Sequence, residues 1–397
     1  MKNTCSPRLL SSRSSRRSTR VPVGFKKIGF ALLALVSPAF IAQASAHDHP
    51  SGHYVQTNLV SDVAGLAAAT DPHLVNPWGL SASATSPWWV ADNGTGLSTL
   101  YNGAGAVQAL VVTIPNLAGV ADPSAPTGTV FNGTATDFLV APGRPSRFLF
   151  STEAGTIVGW SSGTTGVQMV NNAGSAVYKG LALAQIGGVN HLYAANFQTG
   201  KVDVFDRTFA PVTLSPWAFR DPHLPRGYAP FNVQAIGGSI YVAYAKTEAG
   251  SIEEVPGPGK GFVNIYSPEG VLQKRLQHGA WFNAPWGLAM APADFGPFSN
   301  MILVGQFGSG KIAAFDPATG KFRGFLRGEN HRPVKIEGLW AIAFGNGANA
   351  GPTNTLYFAA GIDDEAHGLF GSLTAVADPA DDDDDHGHGH DRDHDDD

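Results

Sequence analysis

The stretch that decides the fold is residues 77–103, which read PWGLSASATSPWWVADNGTGLSTLYNG. It contains a segment that begins Pro77-Trp78-Gly79-Leu80, a very apolar segment at 88–91 and a third segment that ends Tyr101-Asn102-Gly103. β-Branched and aromatic residues favour strands, and Asn followed by Gly favours a tight turn. The stretch therefore predicts three short antiparallel strands joined by turns.

The same order of strands recurs along the chain. The third strand of the unit ends in an aromatic residue followed by Asn, Ser or Asp, at Tyr101, Trp160, Phe205, Tyr266 and Phe315. The very apolar second strand occurs six times, at 88–91, 148–150, 191–195, 240–243, 301–304 and 356–359. Repeats of roughly 40–60 residues with four strands each are typical of β-propellers. The sequence predicts an all-β fold, a single β-propeller of six four-stranded blades; a β-sandwich or another blade number is the alternative.

The first strands and the two ends of the repeat region fit a closed ring. The first strands begin near Pro77, Tyr178, Pro230, Pro285 and Gly338 and are rich in Gly and Ala, which suit strands that crowd around a central channel. The last unit has candidates for three strands only, at 339–344, 355–360 and 369–376. We expect Tyr54–Val60 to supply its fourth strand, because closing the ring leaves no exposed sheet edge.

The Trp-Gly-Leu strands and the hairpins with an aromatic residue, Asp and Gly resemble those of NHL-type six-bladed propellers. More closely, the body from about Tyr54 to Val376 resembles an uncharacterised family of exported bacterial propeller proteins that carry an Asn-Pro-Trp-Gly-Leu motif, here residues 76–80. The resemblance implies the fold and export, and it implies no particular activity.

Residues 1–46 have the pattern of a secretory signal peptide. A basic start without acidic residues is followed by the apolar run Ile28–Ile41 and by Ala44-Ser45-Ala46, a small-x-small cleavage pattern. We expect cleavage after Ala46 and a periplasmic or extracellular, secreted product, with a retained membrane anchor as the alternative. The single cysteine, Cys5, lies in this segment, so the mature chain would contain no disulfide.

Charge divides the mature chain into a body and two unusual ends. The whole chain has 26 Lys and Arg against 32 Asp and Glu, and no basic stripe of the kind that binds nucleic acid. We predict a His-rich segment at 47–53, the propeller at 54–377 and a disordered Asp/His-rich tail at 378–397. The propeller is expected to be a monomer without a membrane span.

Oxygen-bearing side chains are predicted to gather at one end of the channel. The connections from second to third strand and from each blade to the next share one face, called here the top face. Ca²⁺ takes about six to eight oxygen ligands. By analogy with calcium-binding gluconolactonase-like propellers, the candidate ligands at this mouth are Glu153, Asn196, Asn283, Glu337 and Asp363. These residue types also populate ordinary turns, which is the alternative.

The long connection Lys246–Gly261 contains Glu248, Glu253 and Glu254. It is interpreted as a tolerated surface insertion, with an overhang above the mouth as the alternative.

The two ends of the mature chain carry candidate ligands for Zn²⁺, Ni²⁺ or Cu²⁺. These are His47, His49, His386, His388, His390 and His394. A linker at the N-terminus and a solubilising tail at the C-terminus are the alternatives.

These observations predict an exported binding or scaffold propeller for an unidentified small molecule or protein at the top face, with a tail that captures metal. The first alternative is a calcium-dependent hydrolase or lactonase with its site at the mouth. The second is metal buffering by the ends alone. The sequence leaves open whether the protein is an enzyme.

Overall fold

The computed structural model describes residues 52–248 and 250–378. Its first strand, β1 (Gly52–Ser61), pairs in parallel with the short β2 (Ala69–Thr70). Among the described residues the helical structure is a single 3₁₀ turn at Gly296–Phe298, and no helix is long and apolar enough to cross a membrane. The predicted segments 1–46 and 47–51 and the tail beyond Asp378 lie outside the described residues.

The remaining strands form successive antiparallel sheets, each of which is one blade. Blade 1 contains β3 (Pro77–Ser81), β4 (Trp88–Asp92), β5 (Leu97–Tyr101) and β6 (Val112–Thr113). Blade 2 contains β7 (Pro126–Phe131), β10 (Phe148–Thr152), β11 (Thr156–Trp160) and β12 (Val167–Asn171), with the hairpin β8 (Leu139–Ala141) and β9 (Arg144–Pro145) inserted after β7. Blade 3 contains β13 (Tyr178–Ile186), β14 (Val189–Asn196) and β15 (Lys201–Asp206).

The second half of the chain continues the series. Blade 4 contains β16 (Tyr228–Ile236), β17 (Ser239–Lys246), β18 (Gly261–Tyr266) and β19 (Leu272–Arg275). Blade 5 contains β20 (Pro285–Met290), β21 (Ile302–Gln306), β22 (Ile312–Phe315) and β23 (Phe322–Phe325). Blade 6 contains β24 (Leu339–Phe344), β25 (Thr355–Ile362) and β26 (His367–Ala377) and is completed by β1. The prediction of six blades is confirmed.

The N-terminal strand closes the ring as predicted. β1 runs antiparallel to β26 from Gly52 opposite Ala377 to Ser61 opposite Leu369. The buried Tyr54 of β1 donates a hydrogen bond to the carbonyl oxygen of Phe295 in blade 5 at 2.9 Å. The innermost strand of blade 6, β24, contacts the innermost strand of blade 1, β3. The first strand of the chain therefore completes the last blade.

Glycines allow the innermost strands to approach one another around the channel. A Cβ on Gly79 in blade 1 would overlap the carbonyl oxygen of Thr127 in blade 2, and a Cβ on Gly128 would overlap the backbone nitrogen of Leu181 in blade 3. Larger side chains fill the spaces between blades, as where Leu149 and Ile157 pack against Leu192. The predicted small residues of the first strands are observed at these glycines, although Trp78, Trp286 and Trp340 also lie in first strands.

Blade 3 departs from the prediction of four strands in every blade. Its outermost strand, β15, pairs with β14, and the chain leaves its outer edge at Val212 instead of forming a fourth strand. Residues 207–227 connect β15 to blade 4 with one isolated antiparallel bridge, between Pro211 and Phe205, and no further strand.

Candidate functional site

One side chain from each blade closes the central channel. The six residues occupy the same position near the start of each innermost strand, and all are buried. They are Trp78, Thr127, Lys179, Phe231, Trp286 and Trp340. The rings of Trp78 and Trp340 stack with their centroids 3.5 Å apart, and the Trp286 ring meets that of Trp340 edge-on at 5.9 Å. This closing layer separates the top mouth from the rest of the channel.

Lys179 is the charged member of the closing layer, and its side chain is 0% exposed. Its Nζ lies 2.6 Å from Glu153 Oε1 and 3.4 Å from Glu253 Oε2. The same Nζ lies 5.1 Å from the centroid of the Trp78 ring, a distance at which the π face attracts a cation. A buried ammonium is costly unless it is paired, and here carboxylates and an aromatic face surround it.

Four carboxylates from three blades surround this ammonium on the top face. Glu153 follows the second strand of blade 2, Glu253 and Glu254 follow that of blade 4, and Glu365 follows that of blade 6. We call these four residues and Lys179 the mouth cluster. One carboxylate oxygen of Glu254 and one of Glu365 are buried and have no hydrogen-bond partner among the described residues.

Burial and charge shift the ionisation of the mouth cluster. Burial raises the pKa of Glu254 to about 7, although the Lys179 ammonium acts in the opposite direction. Burial likewise raises the pKa of Glu365 above its ordinary value. Burial alone would lower the pKa of Lys179, but the carboxylates of Glu153, Glu254 and Glu253 keep that pKa above its ordinary value. Near neutral pH, Lys179 is thus an ammonium and Glu254 titrates.

A left-handed turn places Glu365 in the mouth cluster. Asp363, Asp364 and Glu365 have φ values of 55°, 51° and 67°, a region that residues with a side chain rarely occupy in succession. The turn leaves Asp363 and Asp364 exposed and turns Glu365 inward. Asn93 of blade 1 donates a hydrogen bond to Glu153 Oε2 at 3.1 Å. Because Lys179 contacts Glu153 Oε1, both carboxylate oxygens of Glu153 have partners.

Of the five predicted ligands at the mouth, Glu153 belongs to the mouth cluster and the others do not. Asn196 donates to Asp203 Oδ2 at 2.8 Å and accepts a hydrogen bond from the Thr199 backbone, which stabilises its own turn. The Asn283 side chain accepts a hydrogen bond from the backbone of Gly257. Glu337 and Asp363 are exposed.

The metal predictions at the mouth and at the ends remain predictions. Among residues 52–248 and 250–378, no group of three or more His, Cys, Asp or Glu side chains is arranged to hold a metal ion. His47, His49, His386, His388, His390 and His394 all lie outside these ranges.

Two features of the site differ from the sequence interpretation. The connection Lys246–Gly261 is more than a surface insertion, because Glu253 and Glu254 reach over the mouth; the overhang alternative is the one observed. Lys179 is a second difference, because it is a site residue that the sequence analysis does not predict. Its signal is Tyr178-Lys179-Gly180, where lysine takes the place that tryptophan has in Pro77-Trp78-Gly79 and Pro285-Trp286-Gly287.

The fold and its closed channel define a six-bladed β-propeller with a carboxylate-lined top mouth. No protein-family model matches the chain. The chain is 30% identical over 373 residues to the mimivirus protein named uncharacterized protein R648, covering 89% of this chain and 90% of that protein. It is also 30% identical over 328 residues to uncharacterized protein L690 of the same virus, with coverage of 79% and 84%. The chain therefore belongs to the family of R648 and L690.

These relatives do not support the bacterial source expected from the resemblance, because they are mimivirus proteins. Among solved structures, a protein of unknown function from Bacteroides thetaiotaomicron superposes with a TM-score of 0.52 at 11% identity, covering 82% of this chain and 77% of that one. A glucose dehydrogenase superposes with a TM-score of 0.51 at 12% identity, and the match covers 82% of this chain and 100% of the dehydrogenase chain. These similarities show the propeller fold.

Replacing Lys179 with Met should lower the free energy of unfolding by about 3 kcal/mol near neutral pH, because the buried carboxylates would lose their counter-charge. The loss should be smaller at pH about 5, where Glu254, whose pKa burial raises to about 7, is protonated and repels the other carboxylates less. Urea denaturation at the two pH values measures both effects. Lys335→Met changes an exposed lysine and serves as the matched control. Equal stability of Lys179→Met and the control at both pH values would contradict this role of Lys179.

Proposed function

We propose that the protein is a ligand-binding propeller whose top mouth takes a small organic cation, such as an amine or a guanidinium compound. The observation that carries the proposal is the composition of the mouth cluster. It sets four carboxylates against one ammonium, and it leaves buried oxygens of Glu254 and Glu365 without partners. Buried acceptors without donors cost free energy, so a ligand that supplies N–H donors there gains the hydrogen bonds that the protein lacks.

Access to the mouth cluster supports the same proposal. The Glu253 side chain is 65% exposed and that of Glu153 20% exposed, so the cluster reaches solvent on the side of blade 4. The closing layer beneath it is packed and aromatic, so a ligand would rest on this layer without passing through the channel. A small cation fits these conditions better than an anionic molecule.

The contacts of Glu153 favour an organic cation over a calcium ion. Lys179 already occupies one carboxylate oxygen of Glu153, and Asn93 occupies the other. A calcium ion bound at Glu153 would have to displace the buried Lys179 ammonium. An organic cation can instead join the cluster at Glu254 and Glu365 while Lys179 keeps its place.

Agmatine, which carries one ammonium and one guanidinium group, is a suitable probe. Isothermal titration calorimetry should show binding that is about fivefold tighter at pH about 8 than at pH about 6, because the cation competes with the proton on Glu254. Glu254→Gln should weaken the binding and reduce its pH dependence, since an amide neither ionises nor attracts a cation strongly.

Glu248→Gln is the matched control, because Glu248 lies in the same connection but is exposed. Agmatine binding that is equally reduced by both variants, or the absence of binding at either pH, would contradict the proposal. Stoichiometric calcium binding that Glu153→Gln abolishes would instead favour a calcium-dependent hydrolase.

We further propose that the protein acts after export. The support is the basic start, the apolar run Ile28–Ile41 and the Ala44-Ser45-Ala46 pattern. N-terminal sequencing of the protein recovered from a cell's exported fraction should begin at His47. Recovery only from the cell interior, with residues 1–46 still attached, would contradict export.

A further inference from the structure

Among the described residues, the outer edge of blade 3 is paired at Phe205, by an isolated bridge to Pro211, and no fourth strand covers the rest of it. Val212 donates a backbone hydrogen bond to the carbonyl oxygen of Val204 at 2.7 Å, so the main-chain groups of Val204 point away from β14. Strand residues two apart point the same way, so the N–H and C=O of Val202 also face outward. Among the described residues no strand pairs with the outward-facing N–H and C=O of Val202. In blade 2, by contrast, β12 covers the third strand from Thr156 to Gly159.

The chain that could have covered this edge crosses to blade 4 instead. Phe219 donates a backbone hydrogen bond to the carbonyl oxygen of Gly270 at 2.8 Å. Arg275 of β19 holds the Asp221 carboxylate at 2.6 Å. These contacts fix residues 213–221 away from β15 and leave open space between the two.

Two adjoining cavities fill this space. One, of about 570 Å³, lies between β15 and residues 212–220. The other, of about 500 Å³, continues along residues 217–228 and shares Gly200, Phe219 and Arg220 with the first. Trp217, which is 77% exposed, stands at their boundary. We call the combined depression the blade 3 groove.

The charge of the blade 3 groove is opposite to that of the chain as a whole. Lys201, Arg220 and Arg226 line it, are exposed, and form no ion pair among the described residues. The carboxylate of Asp221 is neutralised by Arg275, and that of Asp203 accepts hydrogen bonds from Asn196 and Tyr178. The groove therefore presents three free positive charges on a chain whose formal net charge is −6.

We propose that the blade 3 groove docks the Asp-rich C-terminal segment, residues 379–397, of a second copy of the chain. That segment contains the run Asp381–Asp385 and five further Asp residues, which complement the three cations. Its backbone can pair with the free groups of Val202, as extended peptides do at exposed sheet edges.

The geometry of the ring favours a second copy over the chain's own tail. The last described residue, Asp378, follows the last strand of blade 6, and blade 6 lies opposite blade 3 in a ring of six. A segment of 19 residues spans at most about 65 Å when fully extended, and the chain's own tail would use much of that length to pass from blade 6 around the ring to blade 3. The tail of a neighbouring molecule does not have to span this distance, because the two molecules can approach each other freely.

The direct test is fluorescence anisotropy with a labelled synthetic peptide of residues 379–397 and the mature protein truncated after Asp378. The peptide should bind at low ionic strength, and affinity should fall at least about fivefold when salt is raised to about 0.3 M. Arg220→Gln with Arg226→Gln should weaken binding by about tenfold, equivalent to about 1.4 kcal/mol. Arg147→Gln with Arg332→Gln, which removes two exposed arginines elsewhere, should leave affinity within about twofold.

Self-association of the untruncated mature chain is the second readout. At low salt this chain should form dimers or larger species that light scattering detects. These species should be absent from the truncated chain and from the Arg220→Gln, Arg226→Gln variant.

Three results would overturn the proposal. The first is the absence of peptide binding at low salt, and the second is equal weakening of binding by the two pairs of arginine substitutions. The third is equal binding of a peptide in which every Asp is replaced by Asn, because that result would indicate a groove that accepts any extended strand.

Discussion

The ammonium of Lys179, buried in the layer that closes the channel, is the constraint on which the top face depends. An ammonium in a dry interior is tolerated only with counter-charges in direct contact. The nearest carboxylate, Glu153, belongs to blade 2, and Glu253 and Glu254 are brought in by a long connection from blade 4. One lysine in blade 3 therefore fixes the position of two connections that belong to other blades.

The closing layer explains why this lysine can be buried at all. At the same position the other blades supply mainly aromatic rings, and Trp78 presents its face to the ammonium. The main chain contributes as well, since Trp286 Nε1 donates to the carbonyl oxygen of Lys179 at 2.9 Å. The layer thus fixes both the side chain and the main chain of Lys179, and the carboxylates of the mouth cluster lie above it.

The repeat, the blade order and the ring closure could be predicted because they depend on local patterns. Trp78-Gly79 and Trp286-Gly287 mark innermost strands, and Tyr54–Val60 is a strand candidate that precedes the first unit and can supply the missing fourth strand. The composition of the mouth was only partly predictable. Glu153 follows a second strand and lies in the mouth cluster, whereas Asn196 ends a second strand but stabilises its own turn. Asn283 precedes the first strand of blade 5 and accepts a hydrogen bond from Gly257 in the connection Lys246–Gly261.

Lys179 and the open edge of blade 3 show where such patterns fail. A lone lysine in an apolar strand gives no indication of its partners, which lie 26 residues before it and more than 70 after it. Likewise residues 207–227 are long enough for a fourth strand, but contacts with Gly270 and Arg275 draw them to blade 4. Both features follow from contacts between blades, which a single sequence does not reveal.

The most direct test of this account is a crystal structure of the mature protein grown at pH about 7.5 in the presence of calcium. The account predicts Lys179 Nζ within hydrogen-bond distance of Glu153 and no metal ion between the carboxylates of the mouth cluster. A calcium ion bound to Glu153, with the Lys179 side chain turned away from it, would contradict the claim that this ammonium organises the site.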